Sequence, residues 1–341
     1  MLTRAVREEA QLNNLGRTIA HGLLVRIIRY RFALGRHWRE NPGILRTRLA
    51  PPIIVVGQMR GGTTRLHRLL AADPGHGATR FCDAWHPIER GLLPQPARGA
   101  IDLFWTRLLD PWMDVLHPMG ATKAEEELGW LAQGLAGSTF YTQWHIPSYV
   151  SYCEEADPTP IYAEFARILR TDTARRGNAE RPRVLKVPEF TEALTALTAE
   201  FPDARLTVAR RDGDAVARSA ASLVANQMAI MSDHADFAQI EAEWTSKIGL
   251  REERVAAFLQ GWTGPVSVVE FDALDRDWEA AITKVYADLG LSLSHEAILS
   301  MRKIHRAGQT GNHHLHAEQI RKFRDTNAMS QSGGDPQARS P

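Results

Sequence analysis

The chain has 341 residues, 44% of them apolar, enough for one large α/β domain or two average ones around a sizeable core. Its 41 basic and 40 acidic side chains nearly cancel, which excludes a dedicated nucleic-acid binder and leaves any anionic partner to a local site. Only Cys82 and Cys153 are present, no apolar run approaches the roughly 20 residues of a membrane-spanning helix, and the opening MLTRAVREEAQLNNLGR has no apolar core before a small-residue cleavage site; a reducing, cytoplasmic setting is therefore expected.

Residues 1–50 carry ten Arg and three Glu around apolar positions at helical spacing, including Leu12, Leu15, Ile19, Leu23, Leu24 and Ile27. The pattern predicts one or two amphipathic helices. Their basic face could meet an anionic membrane surface or nucleotide phosphates, or the segment could be a cap packed on the main domain with its arginines in water. From Pro51 short β-branched runs alternate with helical stretches. The runs 52–56, 183–187, 205–209 and 266–269 read as buried strands, and the segments near 63–72, 191–200, 214–228, 241–260 and 278–289 as helices. Such alternation predicts an α/β fold, a P-loop-like parallel sheet flanked by helices, because parallel neighbours need a crossover.

The stretch 81–165 breaks this alternation and holds 13 of the 26 Phe, Trp and Tyr, so a helical, aromatic-rich insertion is expected. Its rings can pack as a small core, line a pocket for an apolar acceptor, or both. The main domain is expected over 51–325. The tail 326–341 lacks apolar anchors and reads as disordered.

The first strand runs into Gly57-Gln58-Met59-Arg60-Gly61-Gly62-Thr63-Thr64 and then a helical run. A Gly-rich turn at a helix N-terminus points backbone N–H groups at one place and suits a phosphate-like oxyanion. The spacing is that of G-x-x-x-x-G-K-[ST], with Thr63 where the lysine of a nucleoside-triphosphate enzyme belongs. The cation is instead Arg60, inside the loop. A P-loop kinase would need the lysine and a Mg²⁺-holding Asp, so Thr63 argues against it.

Residues 51–74 resemble the 5′-phosphosulfate loop of the sulfotransferases that use 3′-phosphoadenosine 5′-phosphosulfate (PAPS), in particular the bacterial branch, whose loop reads approximately G-x-x-R-[ST]-G-T-T. Gly61 departs from the Ser or Thr of that pattern and removes a hydroxyl. Residues 201–219 resemble the family's 3′-phosphate segment, in which a Ser follows eight residues after an Arg; Arg211 and Ser219 match, while Arg210 and Gly213 replace a His and a Pro. Physically, Arg211 ends a strand, and a helix capped by Asp214 would bring Ser219 about two turns in, so that a guanidinium fork and a hydroxyl share one phosphate. Val184-Leu185-Lys186-Val187-Pro188 is similar to the family's L-K-x-P strand end, whose lysine faces the reacting sulfonate. His117-Pro118 with Glu125-Glu126-Glu127, and Gly311–His316, are weaker echoes without an assigned role. The resemblance covers roughly 50–320.

The resemblance implies transfer of a sulfonate from PAPS to a hydroxyl or amine of a small acceptor, without a metal. The donor-binding set would be Arg60, Gly61, Gly62, Thr63, Thr64, Arg211 and Ser219, with Arg60 and Lys186 neutralising the leaving phosphate. In the family a Trp-Glu pair after the first helix supplies the base. Counting without gaps puts that Glu at Asp83, while aligning Trp85 puts it at His86; the order of preference is Asp83, His86, then Glu89. The His cluster near the C-terminus lacks the Cys or carboxylate spacing of a zinc site. A non-catalytic nucleotide- or partner-binding member of the fold is the alternative.

Overall fold

The computed structural model describes residues 1–309, apart from 112 and 114–116. The His-containing turn at 311–316 and the tail 326–341 therefore lie outside the described residues. Five strands form one sheet: β1 (Ile53–Val56), β2 (Gly77–Ala78), β3 (Arg183–Leu185), β4 (Arg205–Arg210) and β5 (Val266–Glu270), in the order β2-β3-β1-β4-β5. Every pairing is parallel, with Ile53 opposite both Val184 and Arg205 and Val56 opposite Val208.

All four β1 side chains are fully buried, as a central strand covered on both faces requires. The period-two alternation divides them. Ile54 and Val56 join a core with Leu169, Leu185, Leu197 and Leu206, whereas Ile53 and Val55 join one with Leu66, Leu70, Ile282 and Met301. β3 is shorter than its apolar run because Pro188 follows: Lys186 and Val187 leave the ladder and the chain enters a 3₁₀ turn, Pro188–Glu192. β2 is absent from the sequence reading, since two residues carry no periodicity.

The basic N-terminal segment is two helices, Leu2–Glu8 and Asn14–Glu40. The long one sends Leu23 and Ile27 into a core shared with Val224 and Met228, and Tyr30 and Leu34 into the core under β1. It is packed on the domain, as the cap reading expects. The insertion forms short helices, and most of its rings are core: Trp130, Phe140, Trp144, Tyr149 and Phe165 are buried among residues of the sheet and its covering helices.

Candidate active site

Three backbone positions shape the loop after β1. Gly57 has φ +152°, and a Cβ there would stand 2.8 Å from the Thr63 methyl and 2.9 Å from the Ala209 carbonyl oxygen. Gly62 has φ +87°, and its Cβ would meet the Phe271 ring at 2.5 Å. Between them Arg60 itself adopts φ +64°, a strained choice for a side chain of its size. The Gly61 N–H and the Thr63 hydroxyl both donate to the Gln58 carbonyl, at 3.1 and 3.3 Å, closing the turn. The helix Thr63–Ala71 then starts with no side-chain cap. A helix N-terminus left without a side-chain cap, at the positive end of the dipole, suits an oxyanion.

Two distant segments converge on this loop. The Arg60 Nε donates to Ser219 Oγ at 3.1 Å, and Arg211 Nη1 donates to the Arg60 carbonyl oxygen at 2.8 Å. Arg211 lies 4.2 Å over the Phe271 ring, so Phe271 is wedged between that guanidinium and Gly62. Burial, and then the charge of Arg211, pull the Arg60 pKa down from its ordinary value. The two guanidinium groups are thus close enough for each charge to act on the other, and an anion between them would relieve that repulsion. Ser219 arrives through the helix Gly213–Met231, whose cap is Asp212 rather than the expected Asp214; its side chain accepts from the Ala215 N–H at 2.8 Å.

On the other side of the loop Lys186, 1% exposed, reaches Thr64 Oγ1 at 3.2 Å and makes an ion pair with Glu126. Its backbone N–H donates to Glu127 Oε2 at 2.9 Å. Burial pushes the Glu127 carboxyl up to about 8 against that bond and one from Thr79, so it is largely protonated at neutral pH. Glu125 is the opposite case. Burial would raise it, but His117 at 2.7 Å, the Glu126 amide and Arg68 hold it down at about 2. His67, on the loop helix, is lowered to about 3 by burial and then by Lys186, and stays neutral. The ligand atoms of His117, Glu125 and Glu126 lie within 4.8 Å of one another and could in principle hold a cation, yet Lys186 on Glu126 and Arg68 at 4.0 Å from Glu125 already supply positive charge there.

Two of the residues expected to supply the base, Asp83 and His86, are held by partners of their own. Asp83 is fully buried and takes Arg80 at 2.7 and 2.9 Å, Arg175 at 2.7 Å and Arg176 at 3.5 Å. Burial would raise its pKa, but the Arg80 bonds and the three arginine charges bring it to about 2. The carboxylate preferred as the base is thus an anion enclosed by three arginines. His86 is also buried, between Tyr30 OH at 2.7 Å and Asp102 at 3.1 Å, the latter anchored by Arg26. Glu89 is exposed. Among the described residues none of the three makes a hydrogen bond to Arg60, Thr64 or Lys186. Sequence reasoning noticed Glu126 only as part of an acidic run, and it missed Phe271, which no motif marks.

Residues 51–295 match the model of the sulfotransferase family. The fold is similar to that of the sulfotransferase STF1 from Mycobacterium tuberculosis H37Rv, with 28% identity and a TM-score of 0.81 over 94% of this chain and 89% of that one. It also resembles sulfotransferase STF9 from Mycobacterium avium, at 20% identity and a TM-score of 0.80 over 91% and 81% of the two chains. No curated protein matches the sequence at a significant level.

Proposed function

The chain belongs to the sulfotransferase family, and from that premise we propose that it moves a sulfonate group from PAPS to a hydroxyl or amine of a small, apolar acceptor, in line and without a metal. The observation that carries this reading is the meeting of Arg60, Ser219 and Arg211, which are 159 and 151 positions apart in the pairs that touch. Arg211 and Ser219 take the 3′-phosphate, which ATP lacks. The first-turn amides of Thr63 and Thr64, with Arg60, take the phosphosulfate end. Bound there, PAPS supplies an activated sulfonate whose leaving group is the 5′-phosphate of adenosine 3′,5′-bisphosphate.

The chain's own groups handle charge and proton. Lys186 and Arg60 neutralise the phosphate oxygen as its bond to sulfur breaks. Glu126, the carboxylate that shares Lys186 with Thr64, replaces Asp83 as the proposed base; it accepts the acceptor's proton as the new O–S or N–S bond forms. Glu127 positions Lys186 through its backbone amide. The acceptor class rests on the aromatic density of 81–165.

The test is sulfonate transfer followed by mass spectrometry of a panel of alcohols, phenols and amines, with parallel calorimetry of adenosine 3′,5′-bisphosphate. Glu126→Gln is expected to cut turnover about 10²–10⁴-fold with nucleotide affinity retained. Nucleotide binding without transfer to any acceptor would point to a non-catalytic member, and preference for ATP with Mg²⁺ would overturn the donor assignment.

A further inference from the structure

The helix Gln95–Leu109 is amphipathic in the wrong sense for a helix covering a core. It buries a narrow stripe, Gln95, Gly99 and Leu103, against the domain. Its opposite side presents Ile101, Phe104, Trp105 and Leu108 to solvent, at 46, 60, 54 and 60% exposure. These positions follow the i, i+3, i+4, i+7 rule, so they form one face, and Phe104 and Trp105 meet edge to face at 5.5 Å. Leu92 and Leu93, just before the helix, are exposed as well. A contiguous apolar face of this kind marks an interaction surface.

Its borders identify the partner. On a helical wheel Arg98 and Arg107 border the apolar face on opposite sides, and Arg98 donates to the Tyr30 hydroxyl, a neutral acceptor. The single carboxylate within the helix, Asp102, is turned away and paired with Arg26. The adjoining helix Asn14–Glu40 repeats the theme on its own outer side, where Ile28 and Phe32 are exposed beside Arg29 and Arg36. Trp, Phe and Leu on one face, edged by arginines, match the interface of an anionic bilayer, where rings sit at the headgroup level and guanidinium groups pair with phosphates. A symmetric second copy fits less well, since a two-fold would set arginine against arginine.

We propose that the helix Gln95–Leu109 docks the protein on the surface of an anionic lipid bilayer. This goes beyond the reading of the reaction and does not depend on it. The test is co-sedimentation with vesicles of phosphatidylcholine alone and of phosphatidylcholine with 30% phosphatidylglycerol. The full chain is expected to partition to the anionic vesicles, to lose most of that binding in high salt, and to lose about tenfold or more in Phe104→Ser/Trp105→Ser. The replaced side chains are exposed, so the unfolding temperature is expected to hold, which separates lost docking from lost fold. Absence of binding to anionic vesicles, or binding that the double variant leaves intact, overturns the proposal. So does a dimer in light scattering that the double variant dissociates, which would assign the face to a second copy.

Discussion

The Lys186 side chain reaches Thr64 while its backbone amide holds the buried Glu127 carboxyl, and this yields the sharpest single-residue expectations. Glu127 has its pKa raised in the fold from 4.5 to about 8. The stability of its protonated form is therefore fully present below the unfolded value and is lost as pH rises through about 8. Glu127→Gln, which keeps the oxygen that accepts from Lys186, is expected to match the wild type in thermal unfolding near pH 4.5 and to exceed it by a growing margin up to pH 9; a margin independent of pH would contradict the assignment. Asp83 behaves differently. Asp83→Asn leaves three arginines around a neutral group, and chemical denaturation is expected to show a loss of about 3–5 kcal/mol. The folded fraction is expected to keep its nucleotide affinity. Gly62→Ala sets a Cβ against Phe271 at a positive φ, so calorimetry is expected to show nucleotide affinity falling at least as far as stability. Glu126 was not legible as a candidate because a gapless count from Pro74 lands on Asp83, while the carboxylate paired with Lys186 lies 60 residues before it in the chain and is placed only by tertiary packing.

Helices and strands were far easier to read. β1, β4 and β5 sit within a residue of their β-branched runs because a strand buried on both faces has little freedom in composition. β3 lost two residues to Pro188, and Asp212 rather than Asp214 caps the next helix, both local backbone effects at element ends. The N-terminal helix Asn14–Glu40 carries six arginines on its outer side and flanks, yet its inner side is core: Leu34 is fully buried and helps to complete the core beneath β1. Leu34→Ala is expected to cost about 2–5 kcal/mol in denaturant unfolding, and an unchanged midpoint would show that the helix is only loosely attached. The insertion's rings were counted correctly but their division between core and surface was not visible, since Trp130 and Trp105 look alike in sequence and differ only in which element covers them.

At the scale of the whole molecule, a parallel sheet brings the carboxyl ends of β1, β3 and β4 to one edge, and the loop, Lys186 and Arg211 all follow those ends. That topology sets Arg211 against Arg60 and Lys186 against Thr64, both on the one loop, and the sequence reading singled out these residues through motif order. The central claim is that Arg60 and Arg211 hold the two ends of one adenosine 3′,5′-bisphosphate. The direct measurement is calorimetric titration of that nucleotide and of 5′-AMP into the wild type, Arg60→Ala and Arg211→Ala. The account predicts that the bisphosphate binds the wild type far more tightly than 5′-AMP, that Arg211→Ala erases this preference, and that Arg60→Ala weakens both nucleotides. Equal affinity of the wild type for the two, or an Arg211→Ala protein that still tells them apart, would contradict it.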